Sequence, residues 1–300
     1  MAWRVVCIEK PAKLSLRDEQ LVIGQENEIV LPCEDIDTLI IDSPQVFLSM
    51  NIINKLAENN VNVLCCDDRH LPMAQILQTS NHSRQAKNSL LQIKMKEPLR
   101  KQIWARNIRQ KIENQAFVLK KYEFRHEDLL DLARGVKSGD AGNSEGVAAR
   151  LYFDRLLGDR TRQEPIWFNS ALNYGYALIR GCLARSIVTY GFIPQYGIFH
   201  HNELNNFNLA DDFIEAFRPF VDDSVMQHRN KSIDVYGDSR LTRSDREFLL
   251  GILNENIIIG DRRASIKFAC ELMVESFLIA AKNEDYEDFI MPRFEWGRKA

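Results

Sequence analysis

The spacing of hydrophobic residues changes once along this chain, near residue 80, and that change restricts the fold more than any other feature. Up to residue 78 the apolar residues come in short runs, "WRVVCIE", "KLSLRDEQLVI", "NEIVLPC", "DTLIID" and "VNVLCCD", separated by turn chemistry such as "GQEN". Short runs rich in Val, Ile and Leu predict β-strands. One helix is expected among them: Ser43 as N-cap, Pro44 in the first turn, then Val46, Phe47, Met50, Ile53 and Leu56 at helical spacing. The polar stretch 79–85 reads as a linker. Beyond it, "PLRKQIWARNIRQKIENQAFVLKKY", "SALNYGYALIRGCLARSIVTYG" and "RRASIKFACELMVESFLIAAK" carry apolar residues three and four apart. The expectation is an α+β chain: a small amino-terminal β-rich, β-sandwich-like domain over 1–78 and a larger all-helical domain over 86–300, large enough to bury its own core.

With 45% hydrophobic and 27% charged residues, the chain has the balance of a soluble globular protein. The start "MAWRVVCIEK" reaches an acid at Glu9 with no signal-peptide run, and nothing approaches the ~20 apolar residues that span a bilayer, so a cytoplasmic protein without membrane contact is expected. Cys7, Cys33, Cys65, Cys66, Cys182 and Cys270 form no CxxC pair and are read as buried thiols, not as metal ligands or disulfides. No GxGxxG, GxxxxGK[ST] or GxSxG motif occurs, which argues against nucleotide hydrolysis and serine-hydrolase chemistry.

A net charge of −3 does not suggest a generic nucleic-acid binder, but the charges are segregated. Residues 84–125 hold twelve Lys or Arg against three acids, and residues 200–223 hold six acids against one arginine. Such a pairing suits a polyanion held near a metal. Within "GFIPQYGIFHHNELNNFNLADDFIEAFRPFVDD", a loop leads to His200 and His201, and a helix follows with Asn208 as cap and Pro219 as its end. Asp212 and Glu215, three apart, share a helix face, while Phe213 and Phe217 should pack inward. With Glu145 in the first turn after Asn143 and Ser144, these groups offer hard oxygens and one imidazole, a donor set for Mg or Mn. His200 is preferred to His201, since neighbours on an extended loop point to opposite sides. A plainer reading stays open at this point: Glu145 and Asp211 as helix-capping acids, Asp212 and Glu215 as a solvated face.

"NSEGVAARLYF", "NYGYALIR" and "IPQYGIFHHNELNNFNLADDFIEAFRPFVD", in this order, resemble the CRISPR-associated integrase family known as Cas1, most closely its type II branch. The resemblance covers nearly the whole chain and implies that the helical domain is catalytic. It implies Glu145, His200 and Glu215 as metal ligands and catalytic residues, with Asp212 supporting the site. Many members carry Asp where this chain has Glu215. Gly146 would let a DNA backbone come close, and Asn173 and Tyr174 match a segment near the site. Arg84, Lys87, Arg106, Arg109, Arg150, Arg155 and Arg160 are then candidate phosphate contacts.

What the resemblance implies of function is CRISPR adaptation. A prespacer 3′-hydroxyl attacks a repeat phosphodiester at a divalent metal, Mg or Mn, and metal-dependent endonuclease cleavage comes from the same centre. The implied partners are double-stranded DNA (prespacer and CRISPR repeat), a second copy in a homodimer paired through the β-rich domains, the bridging protein Cas2, and type II effector proteins. A non-catalytic DNA-binding scaffold and a plain metal nuclease are the competing readings.

Overall fold

The short amino-terminal runs form two four-stranded sheets. The computed structural model describes residues 2–78, 84–229 and 239–296, which divide into one unit up to residue 78 and another from residue 84. Most of the expected linker, residues 79–83, lies outside the described residues.

In the first unit the strands are β1 (Arg4–Ile8), β2 (Ala12–Arg17), β3 (Gln20–Gly24), β4 (Glu28–Pro32), β5 (Ile36–Ile41) and β6 (Val46–Leu48), then, after helix α1 (Met50–Glu58), β7 (Asn62–Cys66) and β8 (Pro72–Ile76). One sheet has the order β1-β5-β7-β8, with β5 parallel to both β1 and β7; the other has the order β4-β3-β2-β6. Ile8, Leu39 and Val63 of the first sheet and Leu14, Leu21 and Ile23 of the second meet in one apolar core. The sandwich-like expectation therefore describes this unit.

The helix expected from Ser43 starts later. Val46–Leu48 pairs instead with Ala12–Leu14 as a parallel strand, and α1 begins at Met50, where the Ser49 hydroxyl accepts the Ile52 N–H at 3.4 Å. A segment of one β-branched and two bulky apolar residues fits either period, and the sheet edge satisfied its backbone.

The second unit holds α2 (Gln85–Ile93), α3 (Glu97–Lys121), α4 (Glu127–Arg134), α5 (Ser144–Leu157), α6 (Trp167–Thr189), α7 (Asn208–Ile214), α8 (Arg218–Arg229) and α9 (Arg243–Gly251). These are followed by β9 (Asn256–Ile259), β10 (Arg262–Ser265), α10 (Ile266–Asn283) and β11 (Pro292–Arg293). The long helices α3, α6 and α10 supply most of the core, through side chains such as Ile103, Ile108, Leu172, Ile179, Met273 and Phe277. At Gly175 the approach of α6 to α8 leaves no room for a Cβ beside Val221.

This unit is helical but not all-helical. β9 and β10 form a hairpin turned by Gly260 at φ +55°, and β11 adds to the other side of β9. The carboxy-terminal segment is anchored there, Phe294 stacking on Phe117 and Phe220. Pro219 also departs from expectation: α7 ends at Ile214, and Pro219 sits in the first turn of α8, where its missing N–H is not needed. Phe213 and Phe217 are fully buried, as their spacing predicts. No helix among the described residues is long and apolar enough to cross a membrane.

Candidate metal centre

Glu145 does not cap its helix; Asp140 does. Asn143 adopts a left-handed conformation (φ 51°) with no side-chain cap bond, and the Asp140 carboxylate accepts the Ser144 and Glu145 N–H groups at 2.9 Å each. The Glu145 side chain is thereby left to point elsewhere. It meets the Lys111 ammonium of α3 at 2.7 Å. A Cβ at Gly146 would meet the end of the Asn143 side chain, which would have to shift to admit it.

His200 is fixed by Asp212. The Asp212 carboxylate, fully buried, accepts the backbone N–H of Ile198, of Phe199 (3.1 Å) and of His200 (3.0 Å), and bonds the His200 Nδ1 at 2.8 Å. Asn107 of α3 donates to the Asp212 carbonyl at 2.6 Å, tying this knot to the core. Gly197 is needed here, because a Cβ would collide with the His200 carbonyl and the Asp212 carboxylate. With Nδ1 engaged, Nε2 is the ring nitrogen left to ligate, the arrangement by which a carboxylate orients a metal-binding imidazole. The bond from Asp212 raises the His200 pKa, burial opposes this, and the charges of Asp212, Glu215 and Glu145 add to the rise. The His200 ring packs edge-on against Trp104 and Phe199, which stack on each other at 4.3 Å.

Glu215 follows the last residue of α7 and turns away from Asp212. Its carboxylate bonds the same Lys111 ammonium that Glu145 meets, and accepts from Arg218 Nε at 3.0 Å. Burial alone would push this carboxyl up, but Arg218 and then Lys111 outweigh it and hold the pKa below its ordinary value. Lys111 shows the reverse balance, burial lowering its pKa and Glu215 and Glu145 raising it further.

Glu145 and Glu215, from different helices, thus share one buried cation, within the electrostatic reach of the Asp212-held imidazole. A spot that keeps an ammonium ion 7% exposed between two carboxylates is built for positive charge. Two carboxylates and an imidazole fit a hard divalent ion. Beside them opens a cavity of about 370 Å³, walled by Arg162, Asn173, Tyr176, Arg218 and Asp222. At its wall Asp222 is buried and held by Tyr152 (2.9 Å) and Tyr176, and burial pushes its carboxyl up to about 6.

The candidate phosphate contacts divide. Arg84, Lys87, Arg109 and Arg150 are exposed, although Arg109 also donates to the Val136 carbonyl at 3.4 Å. Arg160 is exposed and pairs with Glu164; Arg106 pairs with Glu287. Arg155 is committed to structure, gripping Asp128 with both terminal nitrogens and the Arg125 carbonyl with one. Tyr174 faces the core with no exposure and offers DNA nothing, whereas its neighbour Asn173 is exposed and lines the cavity. Sequence reasoning counted Lys111 among the basic helix residues and did not single out Arg218 or Asp140. The available signal for Lys111 was its helical spacing from Trp104 and Ile108, on a face where a solvated lysine does not belong.

Residues 5–239 match the family described as CRISPR associated protein Cas1. The chain is 39% identical over 300 residues to the CRISPR-associated endonuclease Cas1 of Neisseria meningitidis serogroup C, covering 97% of this chain and 96% of that one. Among solved structures, a casposase bound to integration product superposes with a TM-score of 0.77 at 18% identity, covering 99% of this chain and 96% of the other. A chain of a Cas6-RT-Cas1–Cas2 complex superposes at 0.75 and 17% identity, covering 99% of this chain and 36% of the other. At these identities the two structures speak to the fold alone.

Proposed function

The chain belongs to the CRISPR-associated protein Cas1 family, and on that premise we propose that it is the integrase of CRISPR adaptation, joining prespacer 3′-hydroxyl ends to the CRISPR repeat. One observation carries the reading: Glu145 and Glu215 converge on a shared buried cation, and their charges act on the imidazole that Asp212 holds by Nδ1. Glu145, His200 and Glu215 would hold a divalent ion, Mg or Mn, which when bound supplies Lewis-acid stabilisation of the phosphoryl and leaving oxygens.

The chain's own residues do the rest. Asp212 keeps the imidazole in one tautomer and orientation. Arg162 and Arg218, walling the cavity, offer charge-assisted bonds to phosphate oxygens, and Asn173 offers an amide. The prespacer 3′-oxygen forms a bond to the repeat phosphorus as the bond from that phosphorus to the 3′-oxygen of the preceding nucleotide in the target strand breaks, and the proton lost by the attacking hydroxyl is balanced by one gained on the freed 3′-oxygen. Phosphodiester bonds are conserved in number, so neither ATP nor a nucleophilic side chain is required. Double-stranded DNA is the substrate, two copies pair through their β-rich units, and Cas2 bridges the pairs. The Cas2 named in one structural relative supports Cas2 as partner, and the integration product named in the other supports DNA as substrate.

A strand-joining assay tests the reading: the protein with Cas2, a labelled duplex with free 3′-hydroxyl ends, a supercoiled plasmid carrying the array, and Mg or Mn. Metal-dependent transfer of label into the plasmid is expected. Plasmid cleavage without joined product would reduce the activity to that of a nuclease.

Lys111 gives a second expectation. Replacing one partner of a buried ion cluster costs about 3–5 kcal/mol, so Lys111→Met should melt well below wild type in chelator, where Glu145 and Glu215 face each other with no shared cation. Adding Mn should raise the melting temperature of the variant more than that of the wild type. A variant whose melting point ignores Mn would show that the two carboxylates do not form the metal position.

A further inference from the structure

The amino-terminal sheet carries a second group of metal-type donors, far in sequence from the centre just described. In the parallel strands β1, β5 and β7, Cys7 is level with Ile40, Ile8 with Ile41, and Ile41 with Cys65. Side chains alternate between the faces of a strand. Ile8, Ile41 and Cys65 therefore point one way, into the sandwich core, and Cys7, Glu9 and Asp42 share the opposite face, while Cys66 follows a shift of register between Cys65 and Cys66. The pairing continues to the strand ends, since the Asp42 N–H donates to the Ile8 carbonyl at 2.9 Å.

The donor atoms converge. The Cys7 sulfur, a Glu9 carboxylate oxygen and an Asp42 carboxylate oxygen all lie within 4.8 Å of one another. Zinc holds sulfur at about 2.3 Å and oxygen at about 2.0–2.2 Å, which sets neighbouring donors roughly 3.5 Å apart, so closing this group on an ion requires only a small contraction. Cys66 stands next to this trio: its thiol donates a hydrogen bond to the Asp42 carboxylate. From the turn after β7, His70 Nδ1 bonds Asp42 Oδ1 at 2.8 Å, the support that a ligating carboxylate commonly has. Unlike Cys33, Cys182 and Cys270, which are buried, Cys7 and Cys66 are partly exposed.

We infer that Cys7, Glu9, Asp42 and Cys66 form a site for a thiophilic divalent ion of the zinc type, with His70 positioning Asp42. Two thiolates and two carboxylates more than neutralise a dication, and sulfur donors select zinc over the hard ions suited to Glu145 and Glu215. The ion would tie the ends of β1, β5 and β7 together. Of the six cysteines expected to be buried, Cys33, Cys182 and Cys270 are, while Cys7, Cys65 and Cys66 are partly exposed.

The test uses the full-length protein stripped of metal and titrated with Co²⁺ alone and with Zn²⁺ alone. Wild type should develop the near-ultraviolet thiolate-to-cobalt charge-transfer absorption, and Zn²⁺ should displace it. Cys7→Ser and Cys66→Ser should each lose the band, while His200→Ala, which disables the other centre, should keep it. Alkylation mapping of unmutated protein covers variants that do not fold: bound Zn²⁺ should suppress modification of Cys7 and Cys66, because a thiolate held by the ion is withdrawn from attack on the reagent. Absence of the band in wild type, its survival in both serine variants, its loss in His200→Ala, or equal alkylation with and without Zn²⁺ would each overturn the inference.

Discussion

Glu145→Ala and His200→Ala are expected to leave a protein that folds and binds duplex DNA but joins strands more than about a hundredfold more slowly, beyond the 10–100-fold that residues behind metal ligands contribute. The expectation of an intact fold rests on local geometry. The helix that starts at Ser144 is capped by Asp140, so Glu145 contributes little to it, and without Glu145 the Lys111 ammonium keeps Glu215 as partner. The His200 side chain is 38% exposed, so truncating it opens no sealed cavity. Glu215→Ala is a poorer probe, because it strips both Lys111 and Arg218 of a buried counter-charge. Glu215→Gln keeps the shape and serves better. Label transfer measures joining, a gel shift measures DNA binding, and a circular-dichroism melt controls for folding. If Glu145→Ala joins strands at the wild-type rate, Glu145 is only a counter-ion for Lys111, and the metal assignment has to be withdrawn.

The two-part organisation was legible because strand and helix periods differ over long stretches, and no local detail can disguise eighty residues of one and two hundred of the other. Short segments were not. Val46–Leu48 suits a strand or a helix, and only the free edge of β2 decides. The hairpin of β9 and β10 was hidden because its few apolar residues adjoin helical ones on both sides. At the candidate centre the residue types and spacings stood out, but not what each side chain does. Asp212 and Glu215 were expected on one helix face; the helix stops between them, sending one to the His200 loop and the other to Lys111. Lys111 could not be told from the surrounding cations by composition, because what separates it from them is burial beside two acids brought in from elsewhere.

Asp212 should behave differently from both candidate ligands, since one carboxylate holds the loop and orients the imidazole. Removing it strands three backbone N–H groups and a ring nitrogen in a fully buried spot. Loss of a buried charged acceptor with its donors left behind costs about 3–5 kcal/mol. Asp212→Ala should therefore unfold at clearly lower urea, with an unchanged slope if the unfolded state is unaffected. Asp212→Asn retains one acceptor oxygen but turns an amide N–H₂ toward donors, so it too should lose stability, though less. Joining should fall in both, because an imidazole freed from its carboxylate no longer presents Nε2 in one orientation. Stability and activity drop together at Asp212 and separate at Glu145, and that contrast distinguishes a residue that builds the centre from one that holds the ion. An Asp212→Ala protein as stable as wild type would mean that water replaces the carboxylate and that the loop does not depend on it.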